Sequence, residues 1–133
     1  MVPKILALPF IPSSLEFVER ELIDIVEKNL HKLFPVKEGD ACLIVMYDAN
    51  SQQELDAAVD ACCQAALENG AIDCAIADTP ERAASVWGVR GAILEGMKAD
   101  SVSQEECDVV VPRSCIAEYV KQAKRLLQNT VYG

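Results

Sequence analysis

The sequence predicts a domain built from both helices and strands, on three observations. Short apolar runs of strand length recur along the chain. Longer segments with apolar residues at helical spacing separate them. Cap and stop signals sit where one pattern gives way to the other. Taken alone, this alternation predicts an α/β domain with a parallel sheet. The length of 133 residues predicts a single domain over 1–133, large enough to bury a core without staples.

The elements follow in order. "KILALPF" (4–10) has the length and composition of a short strand. A helix is predicted from about 13 to 33, where Ser13 and Glu16 match a capping box. Leu15, Val18, Leu22, Ile25, Val26, Leu30 and Leu33 form its apolar stripe. "PVKEGD" (35–40) is a loop, and "ACLIVMYD" (41–48) is a continuous apolar run of buried-strand type. Ser51 and Glu54 form a second capping box. Leu55, Val59, Cys62 and Ala66 line the helix that follows, and Asn69-Gly70 stops it.

"AIDCAIA" (71–77) is the next predicted strand. Asp78-Thr79-Pro80 opens a helix to about 97, with Pro80 in the first turn, where its missing N–H costs nothing. Gly88, Gly91 and Gly96 each weaken that helix by roughly 1 kcal/mol relative to alanine. "SVSQEE" is a polar link, and "CDVVV" (107–111) a strand ended by Pro112. Ser114 caps a last helix with Ile116, Val120, Ala123 and Leu127 inward, and "NTVYG" carries no clear element.

The net charge of −9 and pI of about 4.5 argue against nucleic acid and against an anionic membrane surface, both of which call for a cationic face. No apolar run has the length of a membrane span, and the start lacks the apolar core of a signal peptide. The six cysteines include adjacent Cys62 and Cys63 and no C-x-x-C. Most fall on predicted core faces, so free thiols and a cytoplasmic location are expected.

"GAILEGMK" (91–98) imitates a phosphate loop, but Met97 stands where lysine belongs and no hydroxyl follows Lys98. His31 is the only histidine, near a helix end where a cation suits the dipole, and no metal set accompanies it. "SVWGVR" (85–90) holds the only tryptophan. In one interpretation Val86 and Trp87 bury a helix face while Arg90 reaches solvent. In the other, Arg90 beside its glycines enters a ligand pocket, because a guanidinium pairs bidentately with a carboxylate and glycine lets a flat ligand approach.

Several motifs then stand in order: "IPSSLEF" (11–17), "ACLIVMYD" (41–48), "VWGVR" (86–90) and "CDVVVPRS" (107–114), followed by an amphipathic helix. This succession resembles the C-terminal, substrate-side domain of FAD-linked oxidases, of the D-lactate dehydrogenase and glycolate oxidase flavoprotein type. The resemblance covers nearly the whole chain.

The resemblance implies an α+β, ferredoxin-like sandwich with a mainly antiparallel sheet covered by helices, in place of the parallel sheet. It implies a part of a FAD-dependent oxidoreductase of small 2-hydroxy acids, D-lactate or glycolate, in which this domain caps the flavin. By position it makes Arg90 and Arg113 substrate-binding and places Trp87 and Asp108 near the cofactor. No catalytic or metal residue is expected in this chain, since the family's histidine-rich segment and FAD-binding domain lie outside it. FAD is therefore expected in a full-length parent and not on this chain alone. The implied partners are the parent's FAD-binding domain and an iron–sulfur or electron-acceptor subunit, with a homodimer open. The alternative is a non-catalytic ferredoxin-like binding or dimerisation module.

Overall fold

In a computed structural model the chain is described over residues 1–100 and 106–130. The polar link at 101–105 and the terminal residues 131–133 lie outside the described residues. The chain divides into two compact units, the first ending at Ser103 and the second beginning at Gln104.

In the first unit, α1 (Val2–Ile5) occupies the start of the predicted 4–10 strand. Pro3 suits a first helical turn, and residues 6–10 turn without finding a strand partner. Next come β1 (Ser14–Glu19), α2 (Arg20–Leu30) and β2 (Ala41–Met46). The predicted 13–33 helix is therefore half strand. Ser13 caps no helix: its N–H and its hydroxyl both donate to the Met46 carbonyl, at 2.8 and 3.1 Å. Within "SLEFVE" the apolar residues satisfy period two as well as helical spacing, and pairing with 41–46 decides between them.

β1 and β2 run antiparallel, with Leu15 opposite Val45 and Val18 opposite Cys42. The parallel arrangement expected from alternation alone is thus overturned. The reason lies in the return loop. Arg20 donates from Nη1 to the Val36 carbonyl at 2.5 Å and from Nη2 to Glu27 at 2.7 Å, while Glu27 accepts from the Phe34 amide at 2.7 Å. Lys37 pairs with the same carboxylate. The Arg20 amide bonds the Asp40 carbonyl at 3.0 Å. These bonds fold 34–40 back along α2, so the chain re-enters the sheet beside the point where it left.

One face of the two-stranded sheet carries Val18, Cys42 and Ile44 into a core with Ile23, Val26, Phe34, Val89 and Ala92. Val26 and Val89 are almost wholly buried, each removal from water contributing about 1.5–3 kcal/mol. Phe17, on the other face, is 56% exposed. α3 (Gln52–Glu68) starts as predicted, with Ser51 Oγ accepting from the Glu54 amide at 3.2 Å. It packs on α1, and Ile5, Ala58 and Cys62 are buried.

The predicted 71–77 strand does not form; the segment is irregular and largely exposed. It is tied instead by a disulfide between Cys63 and Cys74, whose Cα atoms are 5.9 Å apart. The expectation of six free thiols is corrected for this pair. Adjacent helical residues point about 100° apart, so Cys62 enters the core while Cys63 faces Cys74.

α4 (Pro80–Gly91) and α5 (Ile93–Asp100) replace one continuous helix. The break is at Ala92, whose φ of −96° and ψ of 2° leave the helical region. α5 lies against α2, where Gly96 is buried.

In the second unit, 107–111 forms no ladder with any described residue, and Val110 is 97% exposed. An apolar run of strand composition becomes a strand only where it finds a hydrogen-bonding neighbour. A 3₁₀ turn (Arg113–Cys115) then leads into α6 (Ile116–Thr130), so Ser114 lies within the turn and does not cap the helix. Of the predicted inward face of α6, Ile116 and Leu127 are exposed at 49% and 66%. The described chain is thus α+β, with a two-stranded antiparallel sheet and six α-helices among the described residues.

Candidate functional site around Arg90

α4 positions this site, and its start is well determined. Thr79 Oγ1 accepts from the Arg82 amide at 3.3 Å, Pro80 fills the first turn, and Asp78 pairs with Arg82 at 2.7 Å. Ser85 donates to the Leu33 carbonyl at 2.7 Å, fastening the helix to the segment after α2. Val89 is buried at 1% exposure and sets the rotation of the helix. Arg90, the next residue, therefore points out of the core, and its guanidinium lies against β1. There Nε donates to Glu16 Oε2.

The geometry of that contact matters. A guanidinium has two donor edges, one holding Nε and one formed by the two Nη groups. Glu16 takes Nε, on one of these edges. The Arg90 side chain is 48% exposed and that of Glu16 28%. A guanidinium with an edge left over can pair bidentately with a planar anion such as a carboxylate.

The glycines around Arg90 are of two kinds. A Cβ on Gly96 would lie 3.0 Å from Val26 Cγ2 and 3.2 Å from Val26 Cα, so Gly96 serves helix packing. A Cβ on Gly91 would meet nothing within 4 Å, and one on Gly88 would meet only Lys32 Nζ at 3.9 Å. Neither Gly88 nor Gly91 has positive φ. Packing and backbone strain thus explain neither, although both weaken the helix. Gly91, about 100° round α4 from Arg90, leaves bare backbone next to it, which suits close approach by a flat ligand. Gly88, two residues before Arg90, faces nearly the opposite side, toward Lys32.

Trp87, half-buried, shares α4 with Arg90. Asp108 and Arg113 belong to the second unit, and both are exposed there. The four predicted residues therefore fall as two pairs, one in each unit. Glu16 was missed in the sequence, where it passed for a capping glutamate; the strand assignment of 14–19 reveals it.

Other chemistry-bearing groups have structural explanations. His31 ends α2 in the left-handed region, at φ 51° and ψ 31°. Burial raises the Glu27 carboxyl, but Lys37, the Phe34 amide and Arg20 outweigh it and hold its pKa below the ordinary value. Tyr47 has a buried hydroxyl with no hydrogen-bond partner. Burial first, then the neighbouring Cys62 thiol, pushes its ionisation well above the usual tyrosine range, so it stays protonated at neutral pH. Among the described residues no cluster of His, Cys, Asp and Glu could hold a metal ion, and no helix is long and apolar enough to cross a membrane.

Comparison with known proteins shows the chain's family. Residues 1–131 match the family described as FAD linked oxidases, C-terminal domain. The chain is 40% identical over 130 residues to a D-lactate dehydrogenase of Anaerostipes hadrus, covering 94% of this chain and 27% of that protein. It is 31% identical over 123 residues to a D-lactate dehydrogenase of Archaeoglobus fulgidus, covering 92% of this chain and 26% of that protein. The chain thus spans about a quarter of the length of these curated relatives.

Proposed function

The chain belongs to the C-terminal domain family of FAD linked oxidases, and from that membership we propose that it is the substrate-side domain of a FAD-dependent oxidoreductase. Its substrate is a small 2-hydroxy acid, D-lactate before glycolate. The names of the two relatives support the substrate. The observation that carries the site is Arg90: paired at Nε with Glu16, about half exposed, and followed by Gly91, which packing does not require.

In this proposal the Nη edge of Arg90 takes the substrate carboxylate through two parallel N–H···O bonds. The bare surface at Gly91 lets the reacting centre lie close to α4. Glu16 orients the guanidinium and does not touch the substrate. Trp87 shares α4 with Arg90 and belongs to this site. For Asp108 and Arg113, in the second unit, the cofactor-proximal and substrate-binding roles rest on the family resemblance alone. β1 and β2 are then two strands of a larger, ferredoxin-like sandwich completed in the parent.

The described residues do not fit FAD itself. The Gly91–Gly96 pair is no phosphate cradle, because Gly96 is filled by Val26. The cofactor therefore belongs to a FAD-binding domain of the parent, and hydride chemistry is the cofactor's own share of the work. This chain binds and orients.

The test uses the FAD-containing parent polypeptide. Losing a charge-assisted pair costs about 1.5–3 kcal/mol, so Arg90→Ala should raise KM for D-lactate by roughly 10- to 100-fold. Flavin content should not change. An unaltered KM in Arg90→Ala would remove the proposal.

A further inference from the structure

We propose that the Cys63–Cys74 disulfide is a reversible redox clamp that governs the order of residues 72–78. This stands independently of the substrate assigned above. Residues 72–78 have no regular structure and make no backbone–backbone hydrogen bond with any described residue. The Cys74 amide bonds only the side chain of its own neighbour, Asp73, at 2.7 Å. Of the other residues in the segment, Ile72 is 68% exposed and Ile76 50%. A segment so poorly held by packing or backbone bonds owes its position to the covalent link with α3.

The two ends of the clamp differ in kind. Cys63 sits on α3, which Ala58 and Cys62 anchor in the interior. Cys74 sits on the irregular segment. Both sulfur-bearing residues are only half-buried, so a dithiol reductant can reach the bond. Cys62, adjacent in sequence, is buried on another face of the helix and does not compete for Cys74.

Reduction by a dithiol breaks the one S–S bond. Two electrons and two protons pass to the protein, giving two thiols, and the dithiol closes to its own disulfide. The segment released leads straight to Thr79, the cap of α4. Loosening should reach the first turn of α4, near Arg82. It should stop before Arg90, because Ser85 and Val89 fasten the helix body independently.

The experiment uses the full chain, with free thiols blocked at lysis. Peptide mapping should recover a Cys63–Cys74 linked peptide. Hydrogen exchange followed by mass spectrometry then compares oxidised protein with protein reduced by dithiothreitol. The bonded Arg82 and Ala83 amides, which follow the segment directly, should exchange at least about tenfold faster on reduction, while 85–91 is unchanged. Cys63→Ser should reproduce the reduced pattern and be indifferent to dithiothreitol. Glutathione buffers of graded ratio should take the pair from oxidised to reduced within their range. Absence of the linked peptide overturns the proposal. Unchanged exchange at Arg82 and Ala83 after verified reduction also overturns it, as does a pair that stays fully oxidised in the most reducing buffer.

Discussion

The contrast between Gly88 and Gly96 gives a prediction that depends on nothing but geometry. Both lie inside helices, so alanine at either gains about 0.8–1 kcal/mol in helix propensity. At Gly88 the new methyl meets only the mobile end of Lys32, at 3.9 Å, and the gain should be realised. At Gly96 the methyl meets Val26 Cγ2 at 3.0 Å and Val26 Cα at 3.2 Å. Ordinary contact begins near 3.5 Å, so α5 must retreat from α2 by several tenths of an ångström. Val26 is fully buried and cannot give way. The retreat also stretches the Asn29 Nδ2 bond to the Gly96 carbonyl, now 3.0 Å. Overpacking of this size costs about 1–3 kcal/mol. Gly96→Ala should therefore fall below Gly88→Ala by about 1–3 kcal/mol. Urea melts of the chain, followed by fluorescence of its only tryptophan, Trp87, measure the difference. Equal midpoints for the two variants would refute close packing of α5 on α2.

Two further predictions concern stability. The Glu27 carboxyl titrates below its ordinary value of 4.5 in the folded chain. Its contribution is thus complete above that value and is lost as pH falls through the lowered one; urea midpoints from pH 7 down to 3 should drop more steeply for the wild type than for Glu27→Gln. His31 holds a left-handed conformation at φ 51°, so His31→Gly should raise the thermal midpoint, with a gain of about 0.5–1 kcal/mol.

Much of this structure was legible where local signals were sufficient in themselves. The Ser51 cap, the apolar face of α3, the Pro80 start of α4 and the β2 run all form where the residues indicate. Local signals failed where a distant partner decides. Residues 14–19 satisfy both periodicities, and only their register with 41–46 makes them a strand. Residues 71–77 and 107–111 have strand composition but no ladder partner among the described residues. Cys63 and Cys74 carried no signal in spacing, because the irregular course of 71–78 brings them together. At the site, Arg90 was legible as a cation beside glycines, whereas Glu16 was hidden behind the wrong element.

The Arg90–Glu16 contact also bears on when the site can exist. It joins residues 74 positions apart, so closing it costs loop entropy that no local helix formation repays. A peptide copy of α4 would carry Arg90 with nothing to aim it. During synthesis Glu16 emerges long before Arg90 and has no partner until α4 is made. The arginine acquires its direction only when α4 docks through Val89, so the contact cannot precede the core that Val89 shares with Val18, Ile23 and Val26.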